Sequence, residues 1–145
     1  MACILVATDG SDGGNRAVDY AANEARKDDS ELVIVNVVEG HGLPGDLFER
    51  FTQPQSAWFR ELLSSVSADI LAKARDRALK AGAGAIALES KEGEAAHAIV
   101  ETARGKGVRS IMIGKRGIGQ VEGLLLGSVS QKLVSLASVP VTVVP

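Results

Sequence analysis

The amino-acid sequence predicts an α/β fold: a single domain with a five-stranded, mostly parallel sheet and helices on both faces. Five short apolar runs carry this prediction, because strands buried on both faces read as unbroken Val, Ile and Leu. Segments of helical length and amphipathic spacing separate the runs, the alternation that a parallel sheet needs. The 145 residues suit one domain able to bury a real core, and they contain no internal repeat, low-complexity tract or convincing interdomain linker.

The elements follow in chain order. Ile4 to Ala7 is a buried strand that ends at Thr8-Asp9-Gly10. Ser11 or Asp12 can cap the next helix, whose Ala17, Val18, Ala21, Ala22 and Ala25 form one apolar face. The segment DDSE ends it, and Leu32 to Val38 is a second buried strand. Residues 40–54 hold three glycines with Pro44 and Pro54, and read as a loop. A long helix is expected over 56–80, buried through Leu62, Leu63, Val66, Ile70, Ala74 and Ala78 and stopped by Gly82. Ala85 to Leu88 reads as a short third strand. Residues 93–104 read as a helix facing inward through Ala95, Ala96, Ile99, Val100 and Ala103. Ile111 to Ile113 is a fourth strand. Beyond a glycine-rich loop, Val129, Leu133, Val134 and Leu136 mark a last helix, and Val139 to Val144 the final strand.

Composition excludes several classes. The net charge is −2 with charges mixed along the chain, so no basic block points to nucleic acid. No apolar run approaches the roughly 20 residues of a membrane span. The opening MACILVATDG lacks a basic stretch before its apolar run, which argues against a secretory signal. Cys3, the only cysteine, reads as a small core residue in a strand, and a chain with one cysteine suits a reducing cytoplasm.

The segment GKRGIGQVEGLLLGSVS, residues 114–130, carries the chemistry. Gly114 and Gly117 are separated by two residues, and nine more precede Gly127 and Ser128. Glycines between a strand end and a helix start let the backbone approach phosphate oxygens, and the first-turn N–H groups of the helix point at them. The helix dipole adds roughly +0.5 charge there. Gly117, Gly119 and Gly123 approximate a dinucleotide fingerprint. That motif needs an acidic residue about 20 positions later, and none follows Glu122. A Walker A loop is absent as well. The plain alternative is that the glycines only shape turns.

Ligands of parallel sheets bind beyond the carboxyl ends of strands, where strand order reverses. Ala7-Thr8-Asp9, Val37-Val38-Glu39 and the Gly114 loop all end there, and they border one crevice if the first and fourth strands are neighbours. Asp9 then suits a ribose hydroxyl or a metal-bound water. Its alternative is a turn residue bonding its own backbone.

Taken together, VATDGS, VIVNVVE, GEAAHAIVETA and IMIGKRG…LLLGSVSQKLVSLASVPVTVV resemble the universal stress protein family, in its small single-domain form, over residues 1–145. The resemblance implies a Rossmann-like fold of the adenine nucleotide alpha hydrolase-like type. The glycine spacing with its Gly127-Ser128 pair is complete and is similar to the family's ATP-binding branch. The resemblance implies that Gly114 and Gly117 line a phosphate-facing turn, with Gly127, Ser128, Val129 and Ser130 around the triphosphate. It places Asp9 near ribose or adenine with Ala7 and Thr8 beside it, the Val37 backbone against adenine, and Ile113 nearby. The implied cofactor is ATP or another adenine nucleotide, with Mg2+ or Mn2+ bridging its phosphates. Ser128 and Ser130 could equally serve as helix caps.

Lys115 and Arg116 follow Gly114 where the family often has small or polar residues, Ala95 replaces a common proline, and Ser110 replaces the usual acid before the fourth strand. No second acidic residue clearly converges on the glycine loop, Glu39 being a weak candidate. His41 and His97 read as solvated or structural, and no nucleophile elbow is present. The expectation is therefore an ATP-dependent sensor or regulator of a stress response, cytoplasmic, with at most slow hydrolysis. An apolar last strand (Val139, Val141, Val143, Val144) is a pairing hazard if exposed, and the resemblance implies a homodimer through it. The alternative function is a nucleotide-free interaction module that uses residues 40–54 or Trp58.

Overall fold

The computed structural model describes residues 2–38, 57–115 and 126–145. Five strands form one sheet in the order β3-β2-β1-β4-β5: β1 (Cys3–Ala7), β2 (Glu31–Val38), β3 (Ile86–Glu92), β4 (Ser110–Gly114) and β5 (Val141–Val144). Every pairing is parallel, so the sheet is parallel throughout. The helices are α1 (Asp12–Asp28), α2 (Ala57–Lys80), α3 (Ala95–Lys106) and α4 (Ser128–Leu136).

Alternation along each strand divides the core in two. Ile4, Val6, Leu32, Ile34 and Met112 face Ala17, Val18, Ala21, Ala22 and Ala25 of α1 and Leu71, Ala74 and Ala78 of α2. Leu5, Ala7, Val33, Val35, Ile111 and Ile113 face Ile99, Val100 and Ala103 of α3 and Leu133 of α4. Both faces are covered, which is why the strands read as continuous apolar runs.

Ser11 is the N-cap of α1, and its Oγ accepts from the Gly14 amide at 3.1 Å. Asp29 ends the helix in the left-handed conformation. The α1 face is the predicted one. In α2 it is not: Ser67, Leu71, Ala74 and Ala78 are buried, whereas Leu62 and Val66 are 46% and 49% exposed. No residue of α2 before Ser67 is fully buried, Phe59 and Leu63 being half-buried. A hydrogen bond of 2.7 Å between the Ser67 and Ser90 hydroxyls explains how a polar residue joins the stripe.

Strand β3 runs through Glu92 rather than stopping at Leu88. Its polar second half is an edge segment held by the β2 ladder, with Glu89 paired to Lys106 at 2.9 Å and to Lys91 at 3.5 Å. Charges on an edge are a common guard against mispairing. Strand β5 begins at Val141, later than predicted, because Pro140 has no N–H and contributes only its carbonyl, to Ile111 at 2.9 Å. On α4, Leu133 is buried while Val134 and Leu136 are exposed. Cys3 is half-buried, and desolvation, aided by the Glu31 charge, raises its thiol pKa.

Helix α3 starts at Ala95, with Glu94 as N-cap accepting from the amides of Ala96 (3.2 Å) and His97 (3.0 Å). The His97 ring and Lys132, at 3.4 Å, also approach this carboxylate. Partial burial pushes the Glu94 pKa up, but the hydrogen bonds and the Lys132 charge outweigh it and bring it down to about 2. Gly107 closes the helix in the left-handed conformation that an L side chain disfavours.

Two measurements check this description. The Glu94 pKa is depressed on folding, so its contribution is full above the ordinary carboxylate value of 4.5 and fades as pH falls towards 2. Glu94→Gln should lower the urea midpoint at pH 7, and the difference from wild type should shrink towards pH 2. A Cβ on Gly114 would sit 2.7 Å from the Gly13 carbonyl oxygen, a backbone atom of the first turn of α1. Gly114→Ala should therefore destabilise by about 1–3 kcal/mol, read by urea unfolding. An unchanged midpoint would refute the close packing.

Candidate functional site

The order of the sheet reverses between β1 and β4, so their carboxyl ends open onto the crevice where parallel sheets hold ligands. Strands one and four are neighbours, as the single-crevice expectation required. Ala7 ends β1 and Ile113 lies near the end of β4, both buried on the α3–α4 face. Val37 packs half-buried against the same face. Gly114 follows Ile113, and the packing reason for a glycine there is the α1 backbone pressed against it.

Thr8 is buried, and its Oγ1 accepts from the Gly10 amide at 3.1 Å. Asp9 is half-buried, and its Oδ1 accepts from the Ser11 amide at 2.9 Å and from the Ser11 hydroxyl. The turn role offered as the plain alternative for Asp9 is thus real. Asp9 follows the end of β1, and its carboxylate orders the β1–α1 turn. Gly14 completes this corner: a Cβ there would lie 2.5 Å from Thr8 Oγ1 and 3.0 Å from Asp9 Oδ1.

The amino end of α4 differs from the cap reading of Ser128 and Ser130. Gly127 is the N-cap, and no side chain caps the first-turn amides. Ser130 is 2% exposed, and its hydroxyl donates inward to the carbonyls of Gly127 (3.0 Å) and Lys115 (3.2 Å). Ser128 is exposed and Val129 half-buried. The amides of Ser128, Val129 and Ser130 therefore lack a partner among the described residues, whereas α1 and α3 each have a side-chain cap. The Gly127 amide bonds the Lys115 carbonyl at 2.7 Å, and the Lys115 amide bonds Val144 at 2.7 Å. These bonds pin both ends of the glycine loop to the sheet. Gly117 and Arg116 lie outside the described residues, as do Glu39, His41 and residues 40–54.

The backbone of Val37 is the feature that residue types alone did not disclose. Peptide groups of a parallel strand point alternately to its two neighbours. Leu32 donates to Ala85 and Val38 accepts from Gly93, so even-numbered residues of β2 serve β3. Val35 accepts from Thr8 at 3.0 Å, so odd-numbered residues serve β1. Val37 is the next odd residue, and β1 has already ended at Ala7. Its N–H and C=O thus point side by side into the crevice, with no partner among the described residues. Among those residues no group of three or more His, Cys, Asp or Glu forms a metal cluster. No helix there is long and apolar enough to cross a membrane.

Comparison with known proteins agrees with this architecture. The model of the universal stress protein family matches residues 2–145. Universal stress protein YxiE of Bacillus subtilis is 34% identical over 97% of this chain and 97% of its own length. A universal stress protein of Thermus aquaticus is 36% identical over 97% of this chain and 96% of its own. Among solved structures, a universal stress protein in complex with cAMP is 29% identical, with a TM-score of 0.71 over 99% of this chain and 95% of that one. The hypothetical protein MJ0577 superposes with a TM-score of 0.82 at 20% identity, covering 98% and 94% of the two chains, a likeness of fold. With its family model spanning nearly every residue and close relatives matched along almost their full length, this chain belongs to the universal stress protein family.

Proposed function

We propose that this chain binds an adenine nucleotide, ATP in the cell, across the β1–β4 crevice and works as a nucleotide-dependent sensor or regulator in a stress response. The observation that carries the reading is the Val37 peptide. One donor and one acceptor side by side match the N1 acceptor and N6 amino group of adenine, and mismatch the reversed pattern of guanine or hypoxanthine. Asp9 lies beside the position a ribose would take. The uncapped amides of Ser128, Val129 and Ser130, with Gly127 and Gly114 removing side-chain bulk, suit the phosphates. The cAMP carried by the 29% identical relative supports the ligand class.

In this reading Ser130 shapes the phosphate end through its inward hydroxyl and offers only its amide to the ligand. Magnesium or manganese would ride on the phosphates, which is how small hard cations accompany nucleotides. The chain binds its ligand with at most slow hydrolysis, since phosphoryl transfer needs a positioned nucleophile and charge stabilisers. It operates in the cytoplasm as a homodimer joined through β5, whose Val141 and Val143 are half-buried at the sheet edge.

A second reading, a nucleotide-free interaction module, has one observation in its favour. Trp58, Leu62 and Val66 recur every fourth residue of α2 and are 70%, 46% and 49% exposed.

Mass spectrometry of protein purified without added nucleotide should find bound adenine nucleotide; its absence, with no thermal stabilisation by millimolar ATP, would favour the second reading. Ser128→Asp separates the two more sharply. A carboxylate in the first turn of α4 should stabilise the free protein by about 0.3–1 kcal/mol. It should also weaken ATP by about tenfold or more through repulsion of the phosphates. Undiminished ATP affinity in that variant would remove the phosphates from the end of α4.

A further inference from the structure

Strand β2 is apolar from Leu32 to Val38 except for Asn36, which is 6% exposed. A buried amide is costly unless its polar atoms are engaged. Asn36 Nδ2 donates to the carbonyl of Thr8 at 2.8 Å, a buried bond between residues 28 apart in sequence. That carbonyl occupies a particular place in the ladder. The Thr8 amide reaches Val35, so in an uninterrupted parallel ladder the Thr8 carbonyl would next accept from the Val37 amide. The Asn36 side chain takes that place, and the chain turns away at Asp9 with its last carbonyl satisfied. The Val37 peptide is left without a strand partner among the described residues.

We infer that Asn36 is the positioning residue for base recognition: by occupying the Thr8 carbonyl, it ends the β1–β2 ladder one bond early and keeps the Val37 peptide open for the edge of an adenine. The inference rests on the proposed nucleotide reading and adds to it the residue that sets base selectivity. Asn36 itself does not touch the ligand. The same bond steadies Thr8, and so the Asp9 turn that borders the ribose position.

A residue that only stabilised the strand end would lower the melting temperature and leave base preference alone, so the test reads preference and ladder directly. Asn36→Leu keeps the volume and removes the donor; Asn36→Ala replaces it if the leucine variant does not fold. In ligand-free protein, hydrogen exchange at the Val37 amide should slow by about tenfold or more in the variant, because that N–H can now take the Thr8 carbonyl. In titrations, wild type should prefer ATP to inosine triphosphate by about tenfold or more. The variant should lose most of that preference through weaker ATP binding, while its affinity for inorganic tripolyphosphate stays within about twofold. Wild-type exchange at Val37, or a wild-type ratio of ATP to inosine triphosphate affinity, would overturn the inference. If wild-type protein binds no adenine nucleotide, the functional reading and the base-selective role fall together. The exchange measurement then still decides whether Asn36 holds the ladder open.

Discussion

The site depends on a difference in strand length. β1 stops at Ala7 while its neighbour β2 continues to Val38, and both are hydrogen-bonded in parallel from a common start. A parallel ladder satisfies its peptide groups only as far as both strands run. Where the shorter one leaves, the longer one presents a bare donor and acceptor. At Val37 this deficit falls at the end of the β1–β2 ladder, beside the β1–β4 crevice, with no partner among the described residues.

The surrounding groups keep that deficit from being closed by the protein itself. Asn36 takes the carbonyl that would have paired with Val37. Asp9 folds its carboxylate back onto the Ser11 amide and sends the chain into α1. On the other side of β1, Gly114 lets the first turn of α1 approach the end of β4 at backbone distance. The amino end of α1, the end of β1 and the end of β4 are therefore one packed unit. A small displacement of any of them would move the others, as close-packed interiors demand.

The amino end of α4 extends the same logic to phosphate. Two helices of this chain satisfy their first turns with a serine or a glutamate, and α4 has glycine in that place. Ser130 directs its hydroxyl inward, to the carbonyls that hold the base of the loop. Donor groups without a partner among the described residues thus recur at both ends of the crevice, at Val37 and at the start of α4, and in the proposed reading the first meets a planar base and the second anions. The pairing of these two deficits, rather than either alone, argues for a nucleotide.

The sequence by itself determined the fold class and the alternation of strands and helices, because unbroken apolar runs and amphipathic spacing record burial directly, and the resemblance of its motifs, from VATDGS to LLLGSVS, pointed to the family. It also marked Ala7-Thr8-Asp9, Val37-Val38-Glu39 and the Gly114 loop as borders of one crevice if the first and fourth strands were neighbours, as they are, since strand ends follow from that alternation. It misjudged the buried stripe of α2, where Leu62 and Val66 are apolar yet exposed and Ser67 is polar yet buried; residue type does not tell which turns of a helix reach the sheet. The caps it offered as the alternative role of Ser128 and Ser130 are not formed, since Gly127 is the N-cap, and it did not disclose that a side chain at Gly114 would meet the backbone of α1. Asn36, Gly14 and Glu94 passed unnoticed as positioning groups, although an amide within an apolar strand was a visible signal for the first. Only the tertiary structure could decide these points, because each depends on hydrogen-bond direction or backbone approach between segments distant in the chain, which no local pattern encodes.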